Sequence, residues 1–373
     1  MKVVTIKTNE GKERYYVADN EGRPIESALK FIKFKDNVKY ARNTLKQYCQ
    51  GLKLYFEYLE FIQKDFKNIT IDDLSLFVNW LQKPKIQRNL IQIDCVNKTR
   101  CPKTVNSVID TVLSYYDYLL RHEEYSNDIS EKLKKFLCQP TRNFKGFLYG
   151  IAYDKRKISS NILKLKLPKV KPKVLNKEEI SILIATCRNY RDKFLLSILY
   201  ETGMRIGEAL SLWIEDIDIS NKTIDIKDRG NLENNAEIKT VSSPRKIDVS
   251  QNIVDMFMEY INIYHTEEVE TNHIFIKISG KKQYKAMDYT DVDNLFRTLR
   301  RKTNIYVTAH MFRHTSLTTL RMAGWKPELL RIRAGHKNIY TTLNTYVHPS
   351  DEEITEAFNK TKETISFKEV VKK

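Results

Sequence analysis

Two short stretches each place an arginine three residues from a group that can accept or hold a proton. In TGMRIGEALSLW, Arg205 and Glu208 stand at helical i,i+3 spacing, which puts them on one face. In AHMFRH, His310 and Arg313 stand in the same relation, and RAGHKNIYTTLNTYVH then sets His336 directly after Gly335, with Tyr346 further on. Singly these features are ordinary. An Arg–Glu pair at this spacing is usually a surface ion pair worth little, and a lone histidine is usually packed or solvated. HMFRH also spaces His310 and His314 like the two ligands of a metalloprotease helix, but the position of the general base is Met311, which removes most of the case for a metal hydrolase.

Together the residue types make a set suited to one reaction. Transferring a phosphodiester to a side chain needs a nucleophile, cations to share the charge of the pentavalent phosphate, and an acid for the departing oxygen. Arginines grip non-bridging oxygens two at a time, a geometry that lysine lacks, and a lysine can protonate the leaving 5′ oxygen. A tyrosine phenol, with a free pKa of ~10, leaves again more readily than a serine alkoxide. The phosphodiester energy is thus kept for rejoining, with no cofactor and no metal required.

Bulk properties agree with a polyanionic partner. The chain has 373 residues, enough for two cored domains, and 64 Lys and Arg against 47 Asp and Glu give a formal charge of +17. Such an excess favours nucleic acid, because neutralising phosphates releases condensed counterions. No apolar run reaches the ~20 residues of a membrane span. The N-terminus alternates polar and apolar residues where a signal peptide would be continuously apolar, so a cytoplasmic location is expected, nucleoid-associated when DNA is bound. The five cysteines (Cys49, Cys95, Cys101, Cys138 and Cys187) form no CxxC pair, which points to reduced thiols and neither a disulfide framework nor a zinc site.

The elements that must position this chemistry are mainly helical. Residues 1–25 open with alternating strands around Asn9-Glu10-Gly11-Lys12, a hairpin-like extension. Across 26–140, Leu45, Tyr48, Leu52, Tyr55, Phe56 and Leu59 recur at helical steps, as do Val105, Val108, Ile109, Val112, Tyr115, Tyr116 and Leu119. Their periodicity predicts a helical domain with these aromatics in its core, not stacked on bases. Thirteen Lys or Arg and one acid, Asp154, lie between Lys132 and Lys173. Punctuated by Pro140, Pro168 and Pro172, the stretch 141–172 is expected to be a basic linker lying along a DNA backbone. In the domain 173–360, Asn176 and Glu179 form a capping-box pattern, and IDI, TIDI and RKIDV predict a small antiparallel sheet among helices, with a further short extended HIFIK segment; 361–373 is a tail. The fold class is therefore mainly α with a small antiparallel β-sheet.

TGMRIGEALSLW, HMFR, AGH and TTLNTYVH, in that order, resemble the signature of the tyrosine recombinases, or phage integrases; more weakly, the helical first half resembles the family's core-binding domain. The resemblance implies a two-domain recombinase fold and a site-specific DNA strand-exchange enzyme. It assigns Arg205 and Arg313 to clamp the phosphate, Glu208 to support the site, His310 to acid–base work, His336 to the second His or Trp position, and Tyr346 to the nucleophile. IKTVSSPRKIDV resembles the family's lysine hairpin and selects Lys239, with Lys246 as its competitor; Tyr340 is the competitor of Tyr346. Double-stranded DNA bearing specific sites, a homotetramer on that DNA, and accessory DNA-bending or directionality proteins are the partners it implies. The transposases of site-specific transposons are a similar branch. Arg333 and Ala334 depart from the usual apolar pair before Gly-His, and the first residues match no familiar arm-binding domain. A type IB topoisomerase or telomere resolvase would share the chemistry, and a DNA-binding protein without catalysis would share the charge.

Overall fold

The computed structural model describes residues 1–8, 13–82, 100–122, 134–137, 158–161, 163–167, 173–230, 232–238, 242–346 and 359, with the backbone alone at 134–137, 158–161 and 344–346. The chain forms two compact units, Met1–Lys169 and Val170–Lys373. No helix among the described residues is long and apolar enough to cross a membrane.

In the first unit, β1 (Lys2–Lys7) and β2 (Glu13–Ala18) pair antiparallel, with Val4 opposite Tyr16. The alternation that predicts these strands buries Tyr15 and Val17, which share one apolar cluster with the helices α1 (Glu26–Asn37), α2 (Arg42–Ile62), α3 (Ile71–Gln82) and α4 (Pro102–Arg121). The periodic aromatics are core, as expected: Tyr55, Tyr115 and Tyr116 are fully buried, and the Tyr55 and Tyr116 hydroxyls bond to each other. Helices α2 and α4 pack closely enough at Gly51 that an added Cβ would come within 2.9 Å of Thr111 Cγ2. Thr70 and Asp73 exchange backbone and side-chain hydrogen bonds at the start of α3, as their spacing predicts. Inside the basic stretch, β3 (Lys134–Leu137) pairs with β4 (Ile158–Asn161). Nothing in the sequence pattern announces this pairing, because the two segments are short, distant and without alternation.

The second unit begins with α5 (Lys177–Thr186), capped reciprocally by Asn176 and Glu179, and continues through α6 (Tyr190–Thr202) and the five-residue α7 (Ile206–Leu210). The expected sheet follows in the order β5 (Ile217–Asp218), β6 (Thr223–Ile226), β7 (Arg245–Asp248), all antiparallel. The HIFIK segment makes isolated bridges, Trp213 to His273 and Ile276 to Ala286, and not a strand. The remaining helices are α8 (Gln251–Tyr264), α9 (Tyr289–Thr303), α10 (Ala309–Met322), α11 (Pro327–Ala334) and α12 (Ile339–Tyr346). A core including Phe194, Phe257, Tyr260, Phe275 and Phe312 joins α5 through α10 and the sheet, and a separate cluster of Leu317, Leu330 and Ala334 packs α11 against α10.

Candidate active site

The site grows from a turn. Helix α6 ends in Gly203, whose positive φ of 65° lets the chain reverse without a Cβ clash. Arg205 then adopts extended backbone as the N-cap of α7, so it precedes the helix and does not sit on it as the i,i+3 spacing suggests. Its backbone N–H donates to Glu208 Oε2 and its Nη1 to Glu208 Oε1, both at 2.8 Å. Nor is the pair a surface one. Glu208 is 0% exposed and Arg205 is partly buried.

A buried carboxylate is unstable unless its oxygens are paired, and Glu208 has a second cation. Arg245, opening β7, donates from Nη2 to Glu208 Oε2 at 3.0 Å and from Nη1 to Oε1 at 3.2 Å. It also reaches Arg333 O at 2.7 Å and Ser243 O at 2.6 Å. Burial pushes the Glu208 carboxyl up, but the hydrogen bonds and charge of Arg245, then of Arg205, outweigh burial and hold it below the usual carboxylate range.

Arg313, on α10, is 1% exposed. It donates from Nη1 to Gly203 O at 2.8 Å, and from Nη2 to Ala334 O at 2.6 Å and His336 Nε2 at 2.9 Å. Arg205 reaches the same loop, donating from Nη1 to Ala334 O at 3.4 Å and from Nη2 to Gly335 O at 3.3 Å. Gly335 is fixed by two constraints: its φ is +61°, and a Cβ there would lie 2.7 Å from Arg245 Nη1 and 3.1 Å from Ser242 O.

His336 is buried beside this cluster. Burial, then the positive charges of Arg313, Arg205 and Arg245, push its imidazole down to about 3, so the ring is neutral at ordinary pH. A guanidinium only donates, so Nε2 accepts and the proton sits on Nδ1, which lies 2.9 Å from Thr342 Oγ1 on α12. Tyr346 is the last residue of that helix, and its side chain lies outside the described residues. Its competitor Tyr340 is 66% exposed at the start of α12.

Arg205, Glu208, Arg313 and His336 are thus brought together. His310 is exposed on the first turn of α10, its ring edge-on to His314 at 4.3 Å. Burial, then the charges of His310 and Arg313, push His314 down to about 4. Lys239 lies outside the described residues; the chain is described again at Ser242, whose hydroxyl donates to Gly335 O at 3.4 Å. Its competitor Lys246 is exposed on β7, opposite Asp225. Arg333, the departure before Gly-His, packs over the Trp325 ring and donates to Glu201 O at 3.0 Å and Asp248 O at 3.4 Å. It therefore ties α11 to α6 and β7 from outside while Ala334 stays buried.

Sequence reasoning missed Arg245 and Thr342 as parts of the site. The arginine of RKIDV was in view, but its role follows only once Glu208 is seen to be buried and to need a second cation. Chemically, two guanidiniums share one carboxylate, and a third, that of Arg313, meets Arg205 at Ala334 O. The surplus of fixed positive charge, with hydrogen-bond donors already aligned, is suited to hold a phosphate and the charge it gains during transfer.

The profile of the phage integrase family matches residues 173–353. Transposase A from transposon Tn554 of Staphylococcus aureus is 36% identical over 362 residues, covering 96% of this chain and 98% of that relative. Tyrosine recombinase XerD of Staphylococcus haemolyticus is 25% identical, covering 90% of this chain and 97% of the relative. Among solved structures, the Tn1549 transposon integrase in complex with transposon right end DNA has a similar fold, with a TM-score of 0.59 at 18% identity, over 89% of this chain and 98% of that one.

Proposed function

The chain belongs to the phage integrase family of tyrosine recombinases, and on that premise we propose that it cuts and rejoins the ends of a mobile element through Tyr346. The observation that carries this reading is the convergence of Arg205 and Arg313 on one carbonyl, that of Ala334, beside a neutral His336. Near-complete coverage of a transposase relative supports transposition as the role.

In the proposed reaction double-stranded DNA places a scissile phosphate against Arg205 and Arg313, which share the charge that builds on its non-bridging oxygens. The Tyr346 phenol oxygen attacks phosphorus and loses its proton; His310 is the proposed acceptor. The bond from phosphorus to the 5′ oxygen breaks, and Lys239 gives that oxygen a proton. A 3′-phosphotyrosyl link and a free 5′ hydroxyl result. The hydroxyl of a partner strand then attacks phosphorus and releases the phenol, so one phosphodiester is exchanged for another with no net energy input. Glu208 and Arg245 hold Arg205 in place, and His336, accepting from Arg313 at Nε2, holds that guanidinium. Four protomers on two sites would exchange the strands in pairs, and the basic stretch 141–172 would follow the backbone.

A duplex carrying the element's end joined to flanking DNA tests this. Sequenced products should show junctions between end and target, and Tyr346→Phe should abolish them while leaving duplex binding intact. Junctions formed by the Phe variant would refute the assignment.

A further inference from the structure

Thr342 is a buried hydroxyl, 0% exposed, on the helix that ends in Tyr346. The reaction as described does not use it. Its Oγ1 lies 2.9 Å from His336 Nδ1, and His336 in turn accepts from Arg313 at Nε2. A chain of contacts therefore runs from a phosphate-clamping arginine, through an imidazole, into α12. Thr342 and Tyr346 are one turn apart on that helix, about 6 Å along its axis. A displacement of α12 at Thr342 therefore carries the Tyr346 backbone with it.

We propose that Thr342 is a positioning residue: Arg313 fixes His336 as the Nδ1–H tautomer, and the Thr342 hydroxyl, accepting from that N–H, sets the helix bearing Tyr346 in register with the guanidinium pocket. Arg313 and Thr342 each constrain the ring from one side. Arginine cannot accept a hydrogen bond, so the Nε2–H tautomer would place two donors face to face. A hydroxyl is the group that accepts from Nδ1–H at no charge cost, which matters beside three guanidiniums and a carboxylate. Valine has the same shape and no such oxygen. The proposal rests on the recombinase reading for its catalytic consequence, but not for its statement about the ring.

The experiment therefore has two readouts. In the DNA-free protein, nitrogen-15 NMR of the histidine rings, with His336 assigned by its loss in His336→Gln, should show Nδ1–H for His336. In Thr342→Val the ring should keep that tautomer, which Arg313 sets, and its Nδ1–H proton resonance should move upfield as the hydrogen bond is lost. In single-turnover cleavage of a duplex carrying the element's end, Thr342→Val should react about tenfold more slowly, at unchanged duplex affinity, and Thr342→Ser, which keeps the oxygen, should recover most of the rate. An Nε2–H tautomer in the native protein, an Nδ1–H resonance unaltered in Thr342→Val, or a Val variant that cleaves at the native rate would overturn the proposal. A native protein that shows the Nδ1–H ring but never cleaves would instead count against the recombinase reading alone.

Discussion

Arg205 and Arg313 donate to the same oxygen, the carbonyl of Ala334, at 3.4 and 2.6 Å. Their positions are far apart in the sequence, yet α6, α10 and α11 bring them to one point. Like charges held so close repel unless anions join them. Glu208 offsets the charge of Arg205, and the scissile phosphate is the anion that joins both arginines in the reaction proposed above. Preorganised donors of this kind need no rearrangement when charge develops.

Replacing either guanidinium by an ammonium keeps the charge and loses the fork. Arg313→Lys and Arg205→Lys should each reduce the cleavage rate by about 10²–10³, with duplex affinity changed far less. Single-turnover cleavage beside a gel-shift titration measures both. A Lys variant that cleaves at the native rate would show that the fork is not used.

Glu208 and Arg245 form a buried pair, 0% and 6% exposed at their side chains. Removing the carboxylate strands Arg245, so Glu208→Ala should cost about 3–5 kcal/mol in urea unfolding, and Arg245→Ala, which leaves Glu208 its bonds to Arg205, should cost less. The double variant should cost less than the sum of the two singles, because it leaves neither charge stranded. Additive losses would show that the pair is not coupled.

Stability should fall as the medium turns acidic. His336 at about 3 and His314 at about 4 both lie below the ~6.5 of an unfolded histidine. Between these values the unfolded chain binds more protons, so unfolding free energy decreases as pH drops from about 6.5 toward 4. The slope is at most ~1.4 kcal/mol per pH unit for each ring. Urea midpoints measured across that window should show the slope, and His336→Gln should lessen it. A native slope unaffected by that change would mean the ring is protonated in the fold.

Gly335 tests how tightly the loop is built. Gly335→Ala forces a positive φ on a residue with a Cβ and pushes against Arg245 Nη1. It should destabilise by ~1–2 kcal/mol and slow cleavage. Gly324 also has positive φ, 91°, but faces open space, so Gly324→Ala should lose stability without comparable loss of cleavage.

The helical periods, the β5–β6–β7 sheet and the mainly helical fold class were legible because each rests on local pattern. The capping pair Asn176–Glu179 and the Thr70–Asp73 start were legible for the same reason. The β3–β4 pairing was not, since its two strands meet only through distant contacts. In the site, Arg205 and Glu208 were legible as residues but not in their setting, because burial of Glu208 depends on Arg245 arriving from another strand. Thr342 was invisible, one threonine in TTLNTY among others, until the His336 ring was placed against it. Gly335 was legible only as part of Gly-His; its missing Cβ makes room for Arg245, which arrives from a strand distant in the sequence.

The most direct test of the account is to identify the bond itself. A duplex with a nick placed to let the freed 5′ fragment diffuse away should trap the covalent intermediate when it carries the element's end. Digestion and mass spectrometry of the trapped protein should then find the 3′-phosphoryl nucleotide on the peptide containing Tyr346, and on that tyrosine within it. An adduct on Tyr340 or any other residue, or none with a duplex that the protein demonstrably recombines, would contradict the account.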